Sequence, residues 1–245
     1  MVRSWQARGS KRQSFAVLAL AAFAFSFSAF SQAPPAPSVR FVVVLDAAHG
    51  GGDQGANLAA SQTAPQTSQA TQPEKAFTQA FAQRLRALLA ARGIAVVTTR
   101  DGDSTVDASR RAEQANRARA QACISIHASA SGTGVHLYVS SLAPAEPSRL
   151  IAWKTAQASY VTRSLALAGS LNAALTHAQV PVTLGRTALA GVDSMACPAV
   201  AVELAPLLTS SHTQATPLSD QDYQIRVAGA LAAALVQWRS EAQQP

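Results

Sequence analysis

Three short apolar runs in this chain each end on a residue that can hold a metal or move a proton. Val42-Val43-Val44-Leu45-Asp46-Ala47-Ala48 leads into His49 and the glycine turn Gly50-Gly51-Gly52. Cys123-Ile124-Ser125-Ile126 leads into His127, and Ala199-Val200-Ala201-Val202 leads into Glu203. A neutral imidazole is a ligand or a general base, and a carboxylate is a ligand or a proton carrier. Runs that are apolar on both faces and too short for a helix read as buried strands. In open α/β sheets, ligands and metals collect at the carboxyl ends of such strands. The glycines after His49 permit positive φ and leave space around the imidazole. Each residue also has a plainer reading: the histidines as turn or packing residues, and Glu203 as the ion-pair partner of a helix residue such as Arg186. A bare glutamate in apolar sequence needs some reason, because burying an unpaired charge is costly. The spacing is not that of HExxH, in which both histidines share one helix face.

The intervening segments supply the elements that hold these three ends. Residues 74–92 carry Phe77, Phe81, Leu85, Leu88 and Leu89 at helical spacing, with Gly93 as the stop. Residues 94–99 read as a strand and 110–120 as a helix. Residues 134–139 read as a strand buried on both faces, 150–178 as helical, and 221–239 as a closing helix with Val227, Leu231, Leu235 and Trp238 on one face. Strands alternating with helices specify an α/β fold, a three-layer arrangement in which a mostly parallel sheet is covered by helices on both faces. Glu74 opens the first helix and admits two readings. With Thr71 it fits a capping box, and a first-turn glutamate also gains from the helix dipole. It also lies three residues before Phe77, which continues the buried stripe and turns its carboxylate toward the sheet.

The chain has 245 residues and a formal charge of +7. Residues 1–33 read as a secretory signal: Arg3, Arg8, Lys11 and Arg12 form a basic head, an apolar core follows, and small residues close the segment at Ser31 and Ala33. The alternative is a retained membrane anchor, for which the apolar stretch is marginally short. Those four basic residues leave with the signal, so the remainder carries 7 − 4 = +3. That mild excess, with no basic run interleaved with aromatics, argues against nucleic acid and suits an anionic wall polymer. Residues 34–39 read as a proline-rich leader and 40–245 as one domain with no internal repeat. Cys123 and Cys197 share strand parity with His127 and Glu203; a disulfide and two buried free thiols are both open.

Leu45-Asp46-Ala47-Ala48-His49-Gly50-Gly51, Glu74-Lys75, Ser125-Ile126-His127-Ala128 and Pro198-Ala199-Val200-Ala201-Val202-Glu203, in that order, resemble the zinc-dependent N-acetylmuramoyl-L-alanine amidases that trim bacterial peptidoglycan. The resemblance spans roughly residues 41–240. It implies Zn2+ held by His49, Glu74 and His127 with an open position for water, and Glu203 as the general base. It implies peptidoglycan as partner, a periplasmic or secreted location, and no stable membrane insertion after signal cleavage. Asp53, four residues after His49, is the rival third ligand. His136 reads as packing or as a neighbour of the site, His177 as a helix-end residue, and His212 as a loop residue that could approach the site. Against the family pattern, the polar stretch 57–73 reads as a flexible loop insertion, Ala47 replaces a glycine, and Ser129 stands where asparagine is common. Leu204-Ala205-Pro206-Leu207 departs from the usual continuation after the glutamate. Residues 138–180 show no clear long insertion of the self-inhibiting kind, so no activator control is expected and no protein regulator is assigned. Two other functions stay open: a zinc peptidase acting on the stem peptide, and a non-catalytic peptidoglycan-binding protein on the same scaffold.

Overall fold

The computed structural model describes residues 40–58, 72–146, 152–208 and 215–242. The signal at 1–33, the leader at 34–39, Thr71 and His212 lie outside these described residues. The mostly apolar runs form β1 (Val42–Ala47), β5 (Ala122–Ala128) and β8 (Ala199–Leu204). With β4 (Ala95–Thr98), β6 (Val135–Ser140) and β7 (Val182–Thr187) they make a six-stranded sheet in the order β4-β1-β5-β8-β6-β7. All neighbours are parallel except β6, which runs antiparallel to β8. The expected mostly parallel sheet is therefore present, with one reversed strand that the sequence did not announce.

Side-chain alternation sorts the sheet into two faces. Val43, Leu45, Ile124, Ile126, Val200 and Val202 pack under α1 (Glu74–Ala90), α3 (Val161–His177) and α4 (Gln221–Ala242) in the larger core. Val44, Cys123 and Ala199 point the other way, toward α2 (Ala108–Arg117) and a 3-10 helix, Val192–Ser194. A second 3-10 helix, Trp153–Ser159, occupies the start of the segment expected to be helical from 150. Helices on both faces give the three expected layers. Cys123 and Cys197 are bonded across 74 residues, which ties the start of β5 to the approach to β8 and resolves the question of free thiols.

Two expectations need correction. The strand at 134–139 is not buried on both faces: His136 and Tyr138 are only half-buried, while Val135, Leu137 and Val139 are inside. The stretch 57–73 is not wholly irregular either. Its ends pair as a two-residue antiparallel ribbon, β2 (Asn57–Leu58) with β3 (Gln72–Pro73), and Leu58 is buried in the main core.

Candidate active site

Of the residues singled out from sequence, His49, Glu74 and His127 converge at the carboxyl ends of β1 and β5. His49 follows β1 in a left-handed backbone conformation, φ 63°, and is succeeded by Gly50 at φ 131° and Gly51 at φ 58°. A side chain at Gly51 would collide with the backbone of Thr105, and one at Gly55 with His49 and Glu74. The turn is thus glycine-rich because the chain passes close to neighbours on both sides. Glu74 is the first residue of α1, whose buried stripe Phe77, Phe81, Leu85 fixes its rotation and turns Glu74 inward, 5 % exposed. The capping reading does not hold for the carboxylate: Pro73 is the N-cap and no side chain caps the helix. Glu74 instead accepts hydrogen bonds from the backbone N–H of Ala56 at 2.9 Å and of Ala128 at 3.0 Å.

His49 Nε2 lies 3.1 Å from Glu74 Oε2, and His127 Nδ1 lies 3.2 Å from Glu74 Oε1. The two imidazoles stand edge to face, 5.6 Å between centroids, and one donor atom from each of the three residues falls within 4.8 Å of the others. Burial alone would raise the Glu74 pKa. The hydrogen bonds from His127, Ala56 and Ala128, and the charge of His49, outweigh it and hold the pKa at about 2. The group is therefore an anion at neutral pH, facing two ring nitrogens.

This donor set fits a zinc ion. Donors about 2 Å from one tetrahedral ion lie roughly 3.3 Å apart, close to the two histidine–Glu74 spacings. Asp53, the rival ligand, sits behind the ring: its Oδ2 is 2.8 Å from His49 Nδ1. Accepting from Nδ1–H, it selects the tautomer whose Nε2 lone pair faces Glu74, as a carboxylate behind a metal-binding histidine does.

Glu203 is the register partner of His127 on the adjacent parallel strand, so both side chains leave the same face of the sheet, one strand spacing, ~5 Å, apart. It is half-buried and, among the described residues, forms no ion pair. Arg186, its suggested partner, donates instead to the carbonyls of Ser140 and Leu142. On the other side of Glu203 stands His136, its antiparallel register partner, with the imidazole stacked on Tyr138. The buried Tyr223 hydroxyl lies 3.0 Å from the Gly134 carbonyl and 2.9 Å from the Ala205 carbonyl, its one hydrogen shared between them, and so ties the end of β8 to the start of β6. His177 ends α3, as its sequence context suggested.

Several supporting residues were missed from sequence. Asp46, 5 % exposed, accepts from Thr99, Arg111 and Ser125 at 2.7–2.8 Å. Arg111 also donates to the carbonyls of Ala47 and His49, both at 2.6 Å, and Arg100 donates to those of Ala47, Ala48 and Lys75. Lys75 binds Gly51 O and Asp103, each at 2.7 Å. These cations saturate the carbonyls that the strand ladder leaves open where β1 breaks into the His49 turn. The available signal was phase: Arg111 lies four residues before Ala115, on the inward face of its helix.

Comparison with known proteins bears on the family and the fold. The family model described as N-acetylmuramoyl-L-alanine amidase matches residues 43–237. No curated protein sequence matches. Among solved structures, the catalytic domain of the N-acetylmuramoyl-L-alanine amidase CwlV from Bacillus (Paenibacillus) polymyxa var. colistinus is 25 % identical, with a TM-score of 0.59 over 82 % of this chain and 98 % of that one. The N-acetylmuramyl-L-alanine amidase Ami1 from Mycobacterium smegmatis, 22 % identical, has a TM-score of 0.60 over 82 % and 97 %. The N-acetylmuramoyl-L-alanine amidase from Clostridium difficile 630, 20 % identical, has 0.59 over 82 % and 97 %. With the family match running from β1 into α4, the chain belongs to the N-acetylmuramoyl-L-alanine amidase family.

Proposed function

We propose that this amidase is a zinc-dependent hydrolase that cleaves the amide between the lactyl group of N-acetylmuramic acid and L-alanine of the stem peptide. The observation that carries the reading is the donor set of His49, Glu74 and His127 within 4.8 Å, with Glu203 next in the same row of the sheet. His49 Nε2, His127 Nδ1 and a Glu74 oxygen would hold the metal. A zinc ion so held supplies Lewis acidity to the scissile carbonyl and brings the pKa of water toward neutrality. Asp53 keeps the His49 ring in its ligating tautomer. The Glu203 carboxylate accepts a proton from the attacking water and delivers it to the departing L-alanine nitrogen, so that the amine leaves neutral. The strand spacing beside His127 supports that role, as does the lack of a competing cation among the described residues.

The disulfide supports an exported protein, since such bonds persist in oxidising compartments. The same reading takes residues 1–33 as a cleaved signal, 34–39 as a leader and 40–245 as the catalytic domain, working in the periplasm or outside the cell.

The test is digestion of purified muropeptides by the wild type and Glu203→Gln. The wild type should release intact stem peptides with a free L-alanine amine and leave peptide-free glycan. Glu203→Gln should retain zinc and lose about a hundredfold or more in rate. Cleavage within the stem peptide would make the protein a peptidase, and undiminished turnover by Glu203→Gln would remove the glutamate from the mechanism.

A further inference from the structure

A second feature bears on how a polymeric substrate is engaged. A groove of about 650 Å3 runs along the outer side of α2, and its lining includes Asp107, Ser109, Arg110, Glu113, Arg117 and Trp153. Residues 107, 110, 113 and 117 recur at steps of three and four, so they form one stripe of the helix. Arg111, Ala112 and Ala115 occupy the opposite, buried stripe. Trp153 is 51 % exposed although an indole is among the side chains most easily buried. The other tryptophan of residues 40–245, Trp238, is 7 % exposed and donates its Nε1–H to the Gln121 carbonyl.

The charges in the groove are matched internally. Arg117 pairs with Glu113 at 2.6 Å, and Arg110 lies 3.8 Å from Asp107. Two guanidinium groups and two carboxylates leave no net charge, so the groove selects neither a polyanion nor a polycation. It offers one flat aromatic face and a line of hydrogen-bonding groups. That combination suits a neutral pyranose, whose axial C–H bonds stack on an aromatic ring while its hydroxyl and N-acetyl groups reach polar side chains.

The groove also connects to the catalytic end of the sheet. Asp107 caps α2 directly after residues 103–105, which pack on the glycine turn: Asp103 accepts from Gly51 N–H at 2.7 Å, and Thr105 Oγ1 accepts from Gly52 N–H at 3.4 Å. From Asp107 the stripe leads away down ten residues of helix, roughly 15 Å.

We propose that the α2–Trp153 groove is a second binding site for the uncharged glycan backbone, N-acetylated β-1,4-linked sugars, that keeps the enzyme on the polymer while the catalytic end works on a neighbouring stem. The proposal rests on peptidoglycan being the substrate, but not on the catalytic roles of individual residues. The probe is the hexasaccharide of β-1,4-linked N-acetylglucosamine, which carries no peptide. It is titrated into the mature protein while tryptophan emission is followed; Trp153 is the exposed reporter and Trp238 the buried one. A saturable blue shift that is unchanged by added salt is expected. By calorimetry the hexasaccharide should bind wild type and, more weakly, Trp153→Phe, and fail to bind Trp153→Ala. On intact sacculi Trp153→Ala should lose about tenfold in rate, the upper end of what one aromatic stacking contact supplies. On a soluble disaccharide-peptide too short to reach the groove, its rate should match wild type. Absence of hexasaccharide binding, binding that salt abolishes, or an unchanged rate of Trp153→Ala on sacculi would overturn the proposal. A protein that binds the hexasaccharide through Trp153 yet cleaves no muropeptide would retain this site and lose the catalytic reading instead.

Discussion

Glu74 is the residue for which two physical roles give different numbers. As a helix-start glutamate it would contribute about 1 kcal/mol and have no bearing on metal. The structure instead makes it a buried anion with two backbone N–H donors and two imidazoles around it. Its pKa falls from an ordinary 4.5 to about 2. At 1.36 kcal/mol per pH unit, that drop corresponds to about 3 kcal/mol of folding stability in the metal-free protein. Between those two pH values the unfolded chain holds a proton that the folded protein does not. The contribution is therefore fully present above pH 4.5 and is lost as the pH falls toward 2.

Glu74→Gln keeps the size and one acceptor oxygen of the side chain and removes the charge. In the presence of a chelator, urea unfolding at pH 7 should show the variant less stable by up to about 3 kcal/mol. The gap between the two proteins should narrow as the pH drops below 4.5, since the wild type loses what the variant never had. After chelator removal and zinc loading, elemental analysis should find zinc in the wild type and a strongly depleted Glu74→Gln. A stability difference below about 1 kcal/mol that stays constant with pH, joined to stoichiometric zinc in the variant, would refute the reasoning.

Three further outcomes follow from named contacts. Asp53→Ala should leave the site able to bind zinc but weaken the affinity by about 10- to 100-fold, measured by competition with a chromophoric chelator, because it orients His49 rather than ligating. Arg111→Met should destabilise the protein by about 3–5 kcal/mol in denaturant unfolding, because it leaves Asp46 buried without its cation; the double variant Asp46→Ala, Arg111→Met should recover part of that loss. Cys123→Ser, or reduction of the wild type, should lower stability by about 4 kcal/mol for a closed loop of this length.

Much of the candidate site was legible because strand ends carry a strong local signal. The runs ending at His49, His127 and Glu203 are apolar on both faces, which only a sheet covered on both sides accommodates. The Phe77, Phe81, Leu85 stripe fixes the phase of α1 and with it the direction of Glu74. What stayed hidden depends on pairing. Nothing in Val135–Ser140 says that this strand runs antiparallel to β8, because the same residues would alternate identically in either direction. β7, at the sheet edge, is mostly exposed and includes Gly185, so it lacks the continuous apolar run that reveals an interior strand. The disulfide was undecided for a similar reason: parity put both cysteines on one side of the sheet, but only the order of strands makes β5 and β8 neighbours.

The arginines show a different kind of concealment. Arg110 and Arg111 are adjacent and chemically identical, in a segment whose many charges suggest a solvated face. One helical step separates a side chain that stays in the open groove from one that ends beneath the His49 turn. The need for the second is set by the glycine turn. Once β1 stops pairing, the carbonyls of Ala47, Ala48 and His49 point where no N–H of the sheet can reach them. A loop rich in glycine has little conformational preference of its own to hold them there. Arg100 and Arg111, reaching in from the segment after β4 and from α2, supply donors from outside the turn. The left-handed conformation at His49 is thereby maintained by groups more than fifty residues away in sequence, which is why a local pattern could identify the histidine but not what aims it.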